Sequence, residues 1–206
     1  MNCTIRAKSL IQPPQVIAIG SSTGGLQALS KLFEDLKSCK IDIPIVVTQH
    51  LPENFDVSFS SKIAEMSGRN CIIPINDTEL EPGNIYFAPS GKHLRITRKD
   101  GKVVTELDDS PPINFCKPSV DPMFLSIAKV YKKNVLAIVL TGIGSDGLEG
   151  AKEIVAQQGT VIAQDKETSV VWGMPGAVSK AGLCSAILPL NEVAEFIKEY
   201  SFGKVR

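Results

Sequence analysis

Apolar residues along this chain alternate between two textures. The first is a short, unbroken, β-branched run stopped by glycine or a polar residue: VIAIG at 16–20, IPIVVTQ at 43–49 and NVLAIVLT at 134–141. Runs of this kind mark strands buried on both faces. The second texture follows the first run, where Leu26, Leu29, Leu32, Phe33 and Leu36 recur at spacings of three and four. That spacing lays one apolar stripe along a helix. Further helices are predicted over 55–67, 119–133, 148–157 and 191–200, with Ser119 placed to cap the second of these and Pro122 suited to its first turn. GTVIAQ (159–164) reads as another strand, 169–183 as a short strand and a helix, and CSAILPL as a last strand segment. Between about 72 and 107 the chain changes to short strands broken by turn residues, with Asp100-Gly101 joining two alternating segments as a hairpin turn does.

Strands alternating with helices predict an α/β fold: a doubly wound, mostly parallel sheet with helices on both faces and an antiparallel hairpin at one edge. Residues 1–14 are polar, end in Pro13-Pro14 and read as a tail or linker remnant. Residues 15–200 read as a single domain without repeats, and 201–206 as a C-terminal tail.

Composition narrows the partners. With 22 basic and 22 acidic side chains, nothing in the overall charge points to nucleic acid or an anionic membrane. The five cysteines are scattered without a C-x-x-C pair, so neither a disulfide framework nor a zinc site is indicated, and reduced thiols in the cytoplasm are expected. The N-terminal segment lacks the apolar stretch of a signal peptide, and the run Val135–Leu140 is far too short to span a bilayer.

In an open parallel sheet, ligands sit beyond the carboxyl ends of the strands. Three loops there carry unusual polar residues. Gly20-Ser21-Ser22-Thr23-Gly24-Gly25 joins the first strand to the first helix. Such a turn can cradle a phosphate or hold a nucleophilic hydroxyl beside backbone N–H donors, and its plainer reading is that the hydroxyls cap the helix. His50 follows the second strand and is one of two histidines; imidazole titrates near neutrality, as a hydrolytic base must. His93, the other, begins a hairpin strand and reads as a surface or packing residue. Thr141-Gly142-Ile143-Gly144-Ser145-Asp146-Gly147 follows the third buried strand. Its Asp146 is either the N-cap of the next helix or the acceptor of the Nδ1 proton of His50. Ser22, His50 and Asp146 thus converge on one sheet edge as a candidate catalytic triad, needing no metal or organic cofactor.

A competing pattern occupies the third loop. Gly142-x-Gly144-x-x-Gly147 matches the dinucleotide fingerprint, and Asp165 lies near the expected offset for a ribose ligand. Against it, Asp146 would place a carboxylate beside the pyrophosphate, with no nearby Lys or Arg in sequence to neutralise it. A dinucleotide- or phosphate-binding domain is therefore the second reading.

The segments IAIGSSTGG (17–25), VTQHLPENF (47–55), KPSVDPMF (117–124), LTGIGSDG (140–147) and VWGMPGAV (171–178) resemble, in order, the catalytic domain of the CheB-type protein-glutamate methylesterases of chemosensory pathways. The resemblance runs from about 16 to about 199. It implies hydrolysis of glutamate γ-methyl esters on cytoplasmic chemoreceptor helices with release of methanol, and often deamidation of receptor glutamines. It also implies that Ser22 is the nucleophile, His50 the base and Asp146 its partner, with the N–H groups of Thr23 and Ile143 as oxyanion donors. Methionine is common in the family at the position of Ile143, and an arginine- or histidine-containing stretch at 114–116. Family members usually carry an N-terminal receiver domain, so the resemblance implies either an excised catalytic domain or a chain regulated through a separate receiver protein. A receptor-binding module that kept the fold without activity is a third reading.

Overall fold

The computed structural model describes residues 5–6, 13–52 and 55–201; the expected tails at 1–14 and 201–206 and part of the VTQHLPENF segment lie largely outside the described residues. In chain order the elements are β1 (Val16–Ser21), α1 (Gly25–Asp35), β2 (Ile45–Gln49), α2 (Asp56–Ser67), β3 (Cys71–Ile72), β4 (Ile85–Phe87), β5 (His93–Lys99), β6 (Lys102–Asp108) and α3 (Val120–Tyr131). A 3-10 turn (Lys132–Asn134) leads into β7 (Val135–Val139), α4 (Leu148–Ala156), β8 (Thr160–Gln164), α5 (Met174–Lys180), β9 (Ala186–Leu188) and α6 (Leu190–Ser201).

Seven strands form one parallel sheet in the order β3-β4-β2-β1-β7-β8-β9. Alternate side chains explain why the strand sequences are continuously apolar. Ile17 and Ile19 of β1, with Leu136 and Ile138 of β7, enter a core shared with α1, α2 and α6, including Leu29, Phe33, Ile63 and Ile197. Val16 and Ala18, with Val135, Ala137 and Val139, enter the opposite core, closed by Phe124 and Ile127 of α3, Ile154 of α4 and Val178 of α5. Both faces are dry, so the in-out alternation of a half-exposed sheet never develops.

Two details differ from the sequence expectation. The hairpin β5–β6 forms a two-stranded antiparallel sheet of its own, seated on α3, where the Ile96 N–H donates to Ser126 Oγ at 2.9 Å. Its turn residues Asp100 and Gly101 both have positive φ, 51° and 80°, as a tight type I′ turn requires. The segment just before, at 85–87, joins the parallel sheet beside β2 instead. The short strand expected near 169–173 does not form. A single bridge links Gly142 to Trp172, because this segment crosses the ends of the strands and the sheet grows through β8 to β9.

The winding reverses at β1. From it the chain proceeds outward through β2 and β4, then returns to β7 on the other side and proceeds through β8 to β9. The loops after β1, β2 and β7 therefore meet at the topological switch point, where open α/β sheets form their crevices.

Candidate functional site

The loop after β1 is held by its neighbours. Ser21 Oγ donates to Gln49 Oε1 at 2.6 Å, and Gln49 Nε2 donates to the carbonyls of Ser22 (2.9 Å) and His50 (2.8 Å). The His50 N–H in turn donates to the Ser21 carbonyl (3.0 Å), and the Ser22 N–H to the Thr141 carbonyl (3.0 Å). These bonds place all three loops edge to edge. Gly142 is needed for that approach: a Cβ there would lie 2.8 Å from Ser22 Cβ and collide with Met174 Sδ. Gly24 serves the other end of the turn, standing at φ +80° at the N-cap of α1, where a side chain would also strike Val170.

No side chain caps α1, so the plainer reading of the serines as helix caps does not hold. Ser21 is committed to Gln49. Ser22 is nearly buried at 8% exposure, and its hydroxyl makes no hydrogen bond among the described residues. The N–H groups of Thr23 and Ile143 likewise find no acceptor among the described residues.

His50 and Asp146 are brought together, though through the other ring nitrogen from the one expected: His50 Nε2, not Nδ1, lies 2.7 Å from Asp146 Oδ2. Nδ1 is thereby left facing the cleft. The reason lies in how Asp146 is held. Its Oδ2 also accepts from the Val120 N–H (2.7 Å), and its Oδ1 from Ser119 Oγ (2.7 Å), the Asp121 N–H (3.2 Å) and the Gly147 N–H (2.9 Å). Asp146 is therefore not the N-cap of α4, a place taken by Gly147; it caps the first turn of α3 from another segment of the chain. Ser119 stands at the N-cap position of α3 but spends its hydroxyl on Asp146 instead of on its own helix. Burial by itself would raise the Asp146 pKa; the hydrogen bonds from His50, the Val120 N–H and Ser119 outweigh it and hold the carboxyl below its usual range. The helix N-terminus favours the same charge.

Asp121, which the sequence reading passed over, lies behind Asp146. It is 4% exposed, accepts from the Gly150 N–H (2.8 Å) and from Asn114 Nδ2 (3.3 Å), and its pKa is raised to about 6. Burial is the main cause, with the Asp146 charge adding to it. Its sequence signal was an acidic residue two positions after a helix cap, which is ordinary for a first helical turn.

Cys116 was also unassigned. Its Sγ lies 3.3 Å from His50 Nδ1, and burial, then the Asp146 charge, raises its pKa. His50, Cys116 and Asp146 bring three ligand-type atoms within 4.8 Å of one another. Cys39, Cys71, Cys116 and Cys184 form no disulfide. His93 is a packing residue: it is fully buried, with Nδ1 accepting from the Ser119 N–H (3.1 Å) and Nε2 near the Pro111 carbonyl (3.1 Å).

A cleft of about 420 Å³ opens over this group, lined by His50, residues 114–116 and residues 143–146. Phe115 stands at its rim wholly in solvent, and Ile143 beside it is largely exposed. The glycine fingerprint at 142–147 does not make a phosphate cradle. Gly173 packs against the Gly142 carbonyl and the Gly144 N–H, and the N–H groups a phosphate would need are already spent, Gly142 on the Val171 carbonyl, Gly147 on Asp146 Oδ1 and Leu148 on the Ser145 carbonyl.

A doubly wound parallel sheet with a histidine–carboxylate pair beside a serine-bearing turn at its switch point defines an α/β protein of hydrolase-like architecture. Residues 17–197 match the family model for CheB methylesterase. The chain is 51% identical over 180 residues to a protein-glutamate methylesterase/protein-glutamine glutaminase of Rhodopseudomonas palustris, covering 87% of this chain and 46% of that one. It is 47% identical over 186 residues to protein-glutamate methylesterase/protein-glutamine glutaminase 1 of Paramagnetospirillum magneticum, covering 90% and 49%. The crystal structure of the Thermotoga maritima CheB methylesterase catalytic domain superimposes with a TM-score of 0.87 at 38% identity, covering 90% of this chain and 98% of that one. This chain belongs to the CheB methylesterase family. It spans about half the length of the curated relatives it matches.

Proposed function

We propose that residues 15–200 form a protein-glutamate methylesterase domain in which Ser22 is the nucleophile, His50 the general base and Asp146 its orienting carboxylate. The observation that carries this reading is the His50–Asp146 hydrogen bond, anchored on the first turn of α3, with the His50 backbone bonded to the serine turn and the Ser22 hydroxyl unbonded among the described residues. Asp146 keeps the proton on Nε2 and so presents the Nδ1 lone pair as the base. The Cys116 thiol is a weak hydrogen-bonding group on that nitrogen, so exchanging it for the Ser22 hydroxyl costs little.

Ser22 Oγ attacks the ester carbonyl carbon while its proton passes to His50 Nδ1, and Asp146 stabilises the imidazolium. The N–H groups of Thr23 and Ile143 are the oxyanion donors, each worth roughly 3 kcal/mol in such sites. Collapse breaks the C–O bond, and the methoxy group leaves as methanol with the proton from His50. Water, deprotonated by the same nitrogen, then attacks the acyl-serine, releasing glutamate and restoring Ser22. An amide enters the same cycle with ammonia as the leaving group, which suits the double name of the relatives.

The substrate under this reading is a methylated, cytoplasmic helical segment of a chemoreceptor, and a separate receiver or other regulatory protein is the second expected partner. Charge balance and the family support a protein partner over nucleic acid. Among the described residues no helix is long and apolar enough to cross a membrane. A dinucleotide reading is disfavoured by the N–H groups of Gly142, Gly147 and Leu148 being already bonded within the protein and by the Asp146 carboxylate inside the loop. Acid quenching during turnover of a methylated receptor fragment, followed by peptide mass mapping, tests the route. An acyl adduct on the peptide containing Ser22 supports it, and an adduct on Cys116 or elsewhere would overturn the assignment of the nucleophile.

A further inference from the structure

Cys116 faces the proposed base, yet the ester reaction has no use for it. Its sulfur lies 3.3 Å from His50 Nδ1 on the side of the ring opposite Asp146. A tetrahedral zinc ion with ordinary Zn–S and Zn–N bonds spans a sulfur and a nitrogen about 3.6 Å apart, so a cation fits between these two atoms with only a small adjustment. The remaining ring nitrogen is already held by a carboxylate, which is how metal-bound histidines are usually oriented and made more basic. Asp146 itself has no coordination to offer, since both of its oxygens are taken by His50, Ser119 and the N–H groups of residues 120, 121 and 147. The donor set is thus one thiolate and one imidazole, a soft pair that favours zinc-class ions over magnesium or calcium. The cleft beneath Phe115 and Ile143 provides the way in and room for water to complete the coordination.

We propose that Cys116 Sγ and His50 Nδ1 form an inhibitory site for a soft divalent cation of the zinc class. Binding forms an S–M bond and an N–M bond and releases the thiol proton to solvent. The cation occupies the lone pair that would accept the Ser22 proton, so the bound enzyme has no base. With two protein ligands the ion is held reversibly, which makes the site a brake and not a structural centre. Its inhibitory consequence rests on the methylesterase reading; the binding does not.

Cobalt(II) titration of the whole chain, followed by absorbance, reads the site directly. A thiolate-to-cobalt band in the near ultraviolet is expected for wild type and for Ser22→Ala, displaced by zinc, and lost in Cys116→Ser. In methanol-release assays zinc should inhibit wild type and a chelator should restore it. Cys116→Ser, compared with its own uninhibited rate, should need at least ~10-fold more zinc. Absence of the band in wild type, its persistence in Cys116→Ser, or equal zinc sensitivity of the two proteins overturns the proposal. If wild type releases no methanol from a receptor fragment but shows the Cys116-dependent band, the methylesterase reading fails and the cation site stands.

Discussion

Ser21 and Ser22 are adjacent, chemically identical and held in opposite ways. Ser21 Oγ is locked to Gln49, whose amide ties the carbonyls of both Ser22 and His50, so Ser21→Ala leaves a buried amide oxygen without its donor. We expect it to lower stability by about 1–3 kcal/mol in urea denaturation while keeping turnover. Ser22→Ala removes a hydroxyl that makes no bond among the described residues and should leave the denaturation midpoint nearly unchanged. A second test at this scale concerns Phe115. Asn114 and Phe115 have φ of 51° and 62° within a tight turn closed by the Ile113–Cys116 bridge. Asparagine tolerates that conformation; a bulky aromatic does not. Phe115→Gly should raise stability by about 1 kcal/mol, read as a shift in the urea midpoint, since its side chain is in solvent and buries nothing. A fall in the midpoint would show that the side chain contributes packing.

Among the elements, α3 couples the fold to the site. Its first-turn N–H groups converge on Asp146, which comes from the loop after β7, so one carboxylate both caps a helix and orients His50. Asp146→Asn should act on both. An amide can donate to His50 Nε2 and so favour the tautomer with its proton on Nδ1, which cannot accept from serine; a drop of about 10³–10⁴ in kcat is expected. Loss of the charge facing the helix N-terminus should also cost roughly 1–3 kcal/mol in the same denaturation experiment. This double role was not readable from the sequence, where Asp146 precedes a helix and looks like its cap. The strands were readable because both faces of the sheet are buried and their apolar runs are unbroken. The apolar pair Val170-Val171 suggests a strand at 169–173, but Val170 is largely exposed and Val171 bonds through its backbone to the Thr141–Gly142 loop instead of to a neighbouring strand.

At the scale of the whole molecule, sheet topology brings the loops at 22, 50 and 146 to one edge, and only the carboxyl-edge rule connects these three in sequence. Ser22, His50 and Asp146 stand as candidates on that rule together with the resemblance. Which nitrogen of His50 meets Asp146, and the presence of Cys116 and Asp121, depend on how α3 docks, and no local pattern encodes docking. Asp121 also sets a pH dependence for the fold. Its pKa rises from 3.8 to about 6, so the native state binds more protons than the unfolded chain between those values. Its favourable contribution is complete below pH ~4 and is lost as pH rises through about 6. Asp121→Asn should therefore gain stability relative to wild type as pH increases across that window, by on the order of 1–3 kcal/mol, as followed by urea midpoints from pH 4 to 7.5. A constant difference across the window would contradict the burial of a charged Asp121. The central claim, that a serine at the switch point hydrolyses a glutamyl methyl ester, is tested most directly by methanol release from a methylated receptor fragment. Wild type and Ser21→Ala should be active, and Ser22→Ala slower by about 10³-fold or more while still folded. Methanol release by Ser22→Ala at the wild-type rate would contradict it.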